Sequence, residues 1–518
     1  MFLKDIFSDT ADITVSGRDD WSETEISSLT LDSRTAKPGS MFFCIDGYEQ
    51  DGHKYAGNAV KAGASAIVHT KDLEKEPGAV YIRVQDMNRE LNRITDLFFG
   101  HPSHKMVMFG VTGTNGKSTV TSMIRDIYSH FKPCGYMGTI AIQYGEYSRI
   151  PNLTTPDAIE THSNLREMLD HGMEACAMEV SSQGLDRGRV DSVDFDCAVF
   201  TNLTHDHLDY HKTMENYFSA KKRLFTNLRP DSIAVLNADD ARSIEGLKAC
   251  CPCQYVTYGT DQGESMVDEQ GYPIEGSRSV YGTKDTIDYF ASDIQQTRTG
   301  SAFTLWHAGR HYEVKTNAAA LYNVYNLMAA IAAMHEMGMP IEDMIPHLTN
   351  ISRVDGRMDR IDVGQDFTVI VDYAHTPDGY EKIFGYAKAV TEKEGGRILA
   401  AFGCPGKRDT VKRPVMGQIA GEFADQIILT SQDPRGEDPE KIAGEIAAGI
   451  KKTGTPYCFI EDREKAISEL IAMAEPGDVV LTLGKGGESY MYHEEGRRPW
   501  MTDQEAARKA LRKKLGNR

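Results

Sequence analysis

An α/β fold in three domains, built on parallel sheets, is what this sequence predicts. Three observations lead there. The chain has 518 residues, several times the roughly 150 of a typical domain. Short apolar runs alternate with amphipathic segments along its length. A glycine-rich loop, Gly113-Thr-Asn-Gly-Lys-Ser-Thr119, stands between a strand pattern and a helix pattern. Hydrophobic residues make up 40 % and charged residues 26 %, the balance of a folded globular protein rather than a disordered or fibrous one.

The first domain, 1–102, mixes apolar runs with turn signals. Residues 41–45 read as a strand, 47–52 as a polar loop, 55–62 as a short helix stopped at Gly63, and 66–68 as the next strand. Polarity rises at His101-Pro-Ser103, and the second domain, 103–347, opens on a buried strand at 106–111. Val120, Met123, Ile124, Ile127 and Phe131 follow at helical spacing. Residues 175–180, 198–203 and 233–236 are short apolar runs typical of buried parallel strands. A doubly wound sheet of the P-loop type is the economical arrangement. Residues 260–286, rich in Gly, Ser and acids, read as a mobile surface excursion. The third domain, 348–518, is expected to be Rossmann-like, with strands at 368–371, 398–402, 426–430 and 479–483 and a helix at 439–450. Its last helix opens on Thr502-Asp-Gln-Glu505, a capping box.

Charge narrows the function. The formal balance is −19, and an acidic surface repels nucleic acid and anionic membranes, so anionic ligands need a local cluster of cations. No apolar run approaches the roughly 18 residues that span a bilayer, and Met1-Phe-Leu-Lys-Asp5 lacks the features of a secretory signal. The expected location is the cytoplasm. Nine cysteines, mostly isolated, suit reduced thiols, and Cys250-Cys-Pro-Cys253 has no second ligand pair at zinc spacing.

The strongest chemical signal is the loop from Gly113 to Thr119. Its glycines let backbone amides wrap a phosphate, Lys117 can neutralise phosphate oxygens, and the Ser118 hydroxyl can ligate Mg²⁺. The spacing is a variant of the usual P-loop, which alone would serve a kinase, a GTPase, a motor or a ligase. Glu179 ends a strand, where it can hold a cation between phosphates or simply be a salt-bridged strand end. The run from Thr201 to His211 gathers three histidines and two aspartates. Asn323-Val-Tyr-Asn326, Asp372-Tyr-Ala-His375 and Gly403-Cys-Pro-Gly-Lys-Arg-Asp409 are further polar motifs, each ambiguous alone.

In this order the motifs resemble the ATP-dependent Mur ligases of peptidoglycan synthesis, and within them the MurE type, which adds the third residue of the stem peptide. Leu31-Asp-Ser-Arg34, Thr154-Thr-Pro156, Glu179-Val-Ser-Ser182, Asp206-His-Leu-Asp-Tyr-His211, Tyr217-Phe-Ser-Ala-Lys221, Gly356-Arg357, Lys412-Arg-Pro414, Asp433-Pro-Arg435 and Gly484-Lys-Gly486 carry the likeness across nearly the whole chain. The resemblance implies a UDP-sugar-binding first domain, an ATP-binding central domain and an amino-acid-binding C-terminal domain. It implies catalytic roles for Lys117, Glu179, His207 and Lys221, and Mg²⁺ held by Ser118, Glu179, His207 and a carbamylated Lys221. ATP would meet Gly113, Thr114, Asn115, Gly116, Lys117, Ser118, Thr119, Asn323, Arg357, Asp372 and His375. The UDP-linked dipeptide would meet Leu31, Ser33, Tyr48, Glu49, Gln50, Asn152, Thr154, Thr155, Ser181, Arg187 and Arg189. The incoming amino acid would meet Arg408, Asp433, Pro434, Arg435, Gly484 and Glu488.

The implied reaction is ATP-driven amide formation through an acyl phosphate, with small-molecule partners only and the chain acting as a monomer. His205, His207 and Glu179 are candidates for the base that deprotonates the attacking amine. Arg435 favours meso-diaminopimelate through bidentate pairing with a distal carboxylate. Asp433 stands where diaminopimelate users carry Asn, and its charge argues the other way, towards L-lysine or L-ornithine. Remoter alternatives are a folylpolyglutamate synthase-like ligase and an inactive nucleotide-binding paralogue.

Overall fold

The computed structural model describes all residues except 9–12, 48–49, 353 and 517–518, so the expectations for Tyr48 and Glu49 lie outside the described residues. The chain separates into two compact units, Met1–Met108 with Lys132–Phe195 and Phe109–Phe131 with Asp196–Arg518. This grouping differs from a division at 102 and 347, because the loop and helix at 109–131 pack with the later chain.

The first unit holds a five-stranded sheet in the order Thr14–Ser16, Val80–Arg83, Ala66–His69, Ser40–Phe43, Ser28–Thr30. All neighbours run parallel except the first pair. Its inner strands are apolar on both faces, as a sheet covered on two sides requires. Met41, Phe43, Ala66 and Val68 pack one way with Leu3, Ile6, Leu91 and Ile94. Phe42, Ile67 and Tyr81 pack the other way with Ala56 and Ala59. In the same unit Ala175–Glu179 lies parallel to Cys134–Met137. The strands Ile142–Tyr144 and Tyr147–Arg149 continue from it antiparallel.

In the second unit the later part of the strand Val107–Thr112, from Phe109 on, and the strands Cys197–Phe200, Ile233–Asn237, Gln254–Thr260 and Tyr289–Thr297 pair in parallel. Gly300–His307 and Arg310–Thr316 then turn back antiparallel, an arm that the expectation of a doubly wound parallel sheet did not include. The helix Leu321–Glu336 is buried along nearly all of its inner turns, which its run of Ala, Met, Leu and Ile permits. A second sheet, in the order Asp359–Ile361, Thr368–Asp372, Val479–Leu483, Ile398–Phe402, Gln426–Leu429, Tyr457–Phe459, is parallel but for its first pair. The helix Pro439–Ile450 and the capping box of Asp503–Lys514 are as the sequence predicts.

The stretch 260–286 differs from a mobile loop. Glu264–Val267 and Pro273–Ser279 form an antiparallel hairpin, anchored by buried Glu264, which pairs with Lys382 at 3.0 Å. Its Gly, Ser and acid content hid backbone pairing that the ladder supplies. Among the described residues no helix is long and apolar enough to cross a membrane.

Two charge pairs in the second unit can be weighed. Buried Arg463 donates to Asp503 at 2.8 and 2.5 Å and to the Leu483 carbonyl at 2.8 Å. Arg463→Ala strands a buried carboxylate and should lower the unfolding free energy by about 3–5 kcal/mol, read as an earlier urea midpoint. Glu437 accepts from Arg413 at 2.9 Å on both oxygens, and that pairing draws its carboxyl down to about 2. Its stabilisation is therefore complete above the unfolded value of about 4.3 and is lost as pH falls towards 2. In urea titrations across pH, the gap between wild type and Glu437→Gln should be constant near neutrality and close through that acid window.

Candidate active site

The phosphate loop is built by its neighbours in the second unit. Thr114 N donates to the Asn202 carbonyl at 2.8 Å, and Asn115 N to Asn202 Oδ1 at 2.9 Å. Tyr217 Oη and Thr204 N converge on Thr114 Oγ1 at 3.2 and 3.0 Å. Gly116 begins the helix Lys117–Tyr128 with φ of +88°, and a Cβ there would come within 2.5 Å of Asn326 Oδ1. At Gly113 an added Cβ would meet Thr201 Oγ1 at 1.8 Å, so only glycine lets the backbone pass. Lys117 Nζ donates to the carbonyls of Gly113 and Thr114 at 3.0 and 2.8 Å, over the loop it serves.

A second lysine shares that carbonyl. Lys221 Nζ, on the helix Met214–Thr226, donates to Gly113 O at 2.6 Å and lies 4.4 Å from the Tyr217 ring centroid. Burial first, and the Lys117 charge second, push this amine well below the usual lysine range, which favours the neutral form that reacts with an electrophile such as CO₂. Asp206 lies nearby in an array of donors. Its Oδ1 accepts from Lys412 Nζ at 3.1 Å and from His207 N at 2.9 Å. Its Oδ2 is 3.4 Å from both His207 Nε2 and His375 Nε2. Burial would raise this carboxyl, but His207, Lys412 and His375 outweigh it and hold it well below the ordinary value. Burial and the surrounding cations lower His207 to about 3, leaving a neutral imidazole with a lone pair. It stands in the left-handed region, φ +55°.

His205 is not placed as a free base. Its Nδ1 donates to the Gln270 carbonyl at 3.0 Å, its Nε2 lies 2.8 Å from Asp409, and its ring stacks on Tyr272 at 4.3 Å. Asn115 is held from the C-terminal side, donating to Asp378 at 2.7 Å and Thr376 at 3.2 Å.

Thr119, Asn323, Arg357 and Met358 line one cavity of about 200 Å³. Arg357 stacks on Tyr373 at 4.2 Å and donates to Ser118 Oγ at 3.3 Å. Asp372 adjoins it by accepting Met358 N at 2.6 Å. The structure therefore brings Thr119, Asn323, Arg357 and Asp372 together, while His375 faces Asp206 instead.

At the C-terminal corner Asp433 and Arg435 both adopt left-handed φ, +46° and +52°, strain of the kind that gathers at functional sites. Asp433 Oδ1 accepts from buried Lys485 at 2.9 Å and from Tyr492 N at 2.9 Å. Lys485 also donates to Glu488 Oε2 at 2.5 Å. Arg435 lies 4.0 Å over the Tyr492 ring. Lys485 is thus shared between Asp433 and Glu488, and Arg435 and Arg497, both over Tyr492, add the remaining positive charge. Gly484 leaves room for Gln432, whose Oε1 would be 2.2 Å from a Cβ, and Arg408 is exposed.

In the first unit, Glu179 is buried and accepts from Tyr136 Oη at 2.6 Å, Thr139 N at 2.8 Å and Thr139 Oγ1 at 3.1 Å. Thr155 Oγ1 donates to the Glu179 carbonyl and accepts Ser181 N, while Arg189 donates to Thr155 O. Thr139 Oγ1 reaches Thr154 Oγ1 at 3.0 Å. Glu179, Thr154, Thr155, Ser181 and Arg189 therefore form one network, beside which Asn152 and Arg187 are exposed. Leu31 lines a cavity of about 350 Å³ with Tyr147, Arg149 and Asp157. Ser33 begins a short 3₁₀ turn, and Gln50 accepts from Tyr55 Oη at 3.0 Å.

Sequence reading had not assigned Asp206, Lys412, Lys485, Tyr136 or Thr139 to the site. Asp206, Lys412 and Lys485 lie inside quoted motifs, so the signal was present; Tyr136 and Thr139 carry none.

Family models match three segments: 25–99 to the Mur ligase family catalytic domain, 111–334 to the Mur ligase middle domain, and 356–486 to the Mur ligase glutamate ligase domain. The UDP-N-acetylmuramoyl-L-alanyl-D-glutamate–2,6-diaminopimelate ligase of Geobacillus thermodenitrificans is 41 % identical over 90 % of this chain and 91 % of its own. The enzyme of that name from Clostridioides difficile is 37 % identical over 95 % of each. A solved 2,6-diaminopimelate ligase superposes with a TM-score of 0.66 at 29 % identity, covering 99 % of both chains. MurF of Thermotoga maritima, solved with ADP, shares the fold at TM-score 0.62 and 16 % identity, over 95 % of this chain and 98 % of its own. The loop and lysine array therefore sit in a framework whose three parts match in order between residues 25 and 486, and the chain belongs to the Mur ligase family.

Proposed function

We propose that this protein is an ATP-dependent acid–amino acid ligase that joins 2,6-diaminopimelate, in its meso form, to UDP-N-acetylmuramoyl-L-alanyl-D-glutamate. The observation that carries the amino-acid assignment is the Asp433–Lys485 pair. Asp433 by itself would repel a distal carboxylate; with Lys485 bound between it and Glu488, and with Arg435 and Arg497 over the Tyr492 ring, three cations face two carboxylates and the corner is positive. The extent of identity to diaminopimelate ligases supports the same choice. The division into 1–102, 103–347 and 348–518 assigns the nucleotide-linked peptide, ATP and the amino acid to successive domains, in keeping with the three matched segments. A monomer in the cytoplasm, where ATP is available, completes the reading.

A carboxylate is a poor electrophile, so its oxygen first attacks the γ-phosphorus of ATP to give an acyl phosphate and ADP. The loop amides and Lys117 bear the phosphate charge. The neutral amine of the diamino acid then attacks the acyl carbon, and phosphate leaves. Arg435 and Arg408 orient that amino acid, and Asn323, Arg357 and Asp372 seat the nucleoside. Thr154, Thr155, Ser181, Arg187 and Arg189 hold the dipeptide.

Of the residues proposed for Mg²⁺, Ser118 offers a hydroxyl and Glu179 a carboxylate, the oxygen donors that ion takes, and His207 adds a neutral imidazole. Lys221 joins this set as a carbamate, which its buried, charge-depleted amine favours. Mg²⁺ supplies charge neutralisation on the β- and γ-phosphate oxygens when bound.

Lys221→Ala should cut phosphate release by about 100-fold or more, the upper end of what loss of a group orienting a metal ligand costs. A short carboxylic acid should restore part of it. An undiminished rate would remove the metal role. With ATP and the UDP-dipeptide fixed, meso-diaminopimelate should be used well ahead of L-lysine or L-ornithine. Lys485→Met, which uncovers Asp433 and Glu488, should raise KM for the diamino acid while leaving KM for ATP unchanged. A preference for lysine in the wild type would overturn the reading of Arg435.

A further inference from the structure

The first unit carries a second cluster of donors, in residues to which no part of the ligation chemistry is assigned. Asp96 lies in the helix Met87–Phe98, His101 in the turn after it, and His104 in the 3₁₀ turn Ser103–Lys105. One ligand atom from each of the three lies within 4.8 Å of the others. His101 Nδ1 is 2.6 Å from Asp96 Oδ2, and the His101 amide donates to the Asp96 carbonyl at 2.8 Å. The two imidazoles meet edge to face, 5.9 Å between centroids.

Two features go beyond mere proximity. His104 Nδ1 lies 2.9 Å from Asp194 Oδ2, a carboxylate placed to take the Nδ1 proton and leave Nε2 as the ligating nitrogen, the arrangement by which ligating histidines are fixed. Asp194 is itself positioned, its amide donating to Ser103 Oγ at 3.1 Å. The other oxygen of Asp96 faces the buried ring of His162 at 3.5 Å, so this carboxylate is oriented from behind. The carboxylates are mostly buried while both imidazoles are about half exposed, 49 % and 50 %. An ion from solvent therefore has access to a partly rigid set.

We propose that Asp96, His101 and His104 bind one divalent transition-metal ion of the Zn²⁺ class, with Asp194 orienting His104. Nitrogen donors favour such an ion over Mg²⁺. Zn²⁺ at about 2.0–2.1 Å from each ligand needs donors about 3.4 Å apart. The Asp96–His101 pair must open slightly and the His104 ring must swing in, movements open to half-exposed side chains. Binding displaces the proton shared by His101 and Asp96 to solvent. The ion would tie the end of the helix to the turn that leads into the strand Val107–Thr112.

The test uses the full-length protein with Mg²⁺ held in excess. Zn²⁺ is titrated by calorimetry, Co²⁺ by its visible absorption, and melting is followed with and without Zn²⁺. The wild type should take up one equivalent saturably and melt higher with Zn²⁺. His101→Asn, whose side chain tolerates the positive φ, and His104→Gln should each lose that uptake. Asp194→Asn should weaken it by about 10- to 100-fold. Metal-free melting and the Mg²⁺-dependent ligation rate should stay at wild-type values in all three, which separates loss of the site from loss of the fold. Equal uptake by wild type and the histidine variants would place the ion elsewhere, for instance on Cys250–Cys253, and would overturn the proposal. Absence of saturable uptake by the wild type would do the same.

Discussion

The candidate active site depends on one buried carboxylate. Lys117 and Lys221 both turn to the carbonyl of Gly113, and Lys412 is buried close by. Amines packed so closely out of water lose hydration and cannot all stay charged: Lys221 is pushed towards its neutral form, and Lys117 and Lys412 need a counter-charge. Asp206 supplies the compensation. It binds Lys412 and lies between His207 and His375, so the loop residues are arranged around its charge. Within a chain of net charge −19, cationic side chains meet here around the phosphate loop.

Much of this was legible in the sequence, and the reason is local. Parallel strands buried on both faces write themselves as short apolar runs, and those at 398–402 and 479–483 coincide with the observed elements. The glycines of the phosphate loop are dictated by contacts with Thr201 and Asn326, but their spacing alone sufficed to mark them. What stayed hidden was set by distant partners. The hairpin from Glu264 to Ser279 has the composition of a loop, yet Lys382 fixes it from more than a hundred residues away. His205 looks like a free base in the sequence, and only the fold shows both of its ring nitrogens engaged, by Gln270 and Asp409. Tyr136 and Thr139 grip Glu179 without any motif of their own. The antiparallel arm from Gly300 to Thr316 continues a sheet whose other strands read as parallel, so its reversal was decided by tertiary pairing.

Charge at the amino-acid corner was the ambiguous point of the sequence, and packing resolves it. Lys485, bound by both Asp433 and Glu488, is wholly buried. Without it Asp433 and Glu488 would lose the buried cation they share. With it, Arg435 on its tyrosine platform is not drawn into neutralising them alone.

The left-handed backbone at Asp433 has an evolutionary corollary. Among residues with a side chain, Asn and Asp adopt that conformation most readily. The two therefore interchange there at little cost in shape, and the exchange adds or removes a full negative charge next to Lys485. The charge of such a corner drifts while the main chain keeps its path, with the buried lysine deciding how much of it reaches the surroundings.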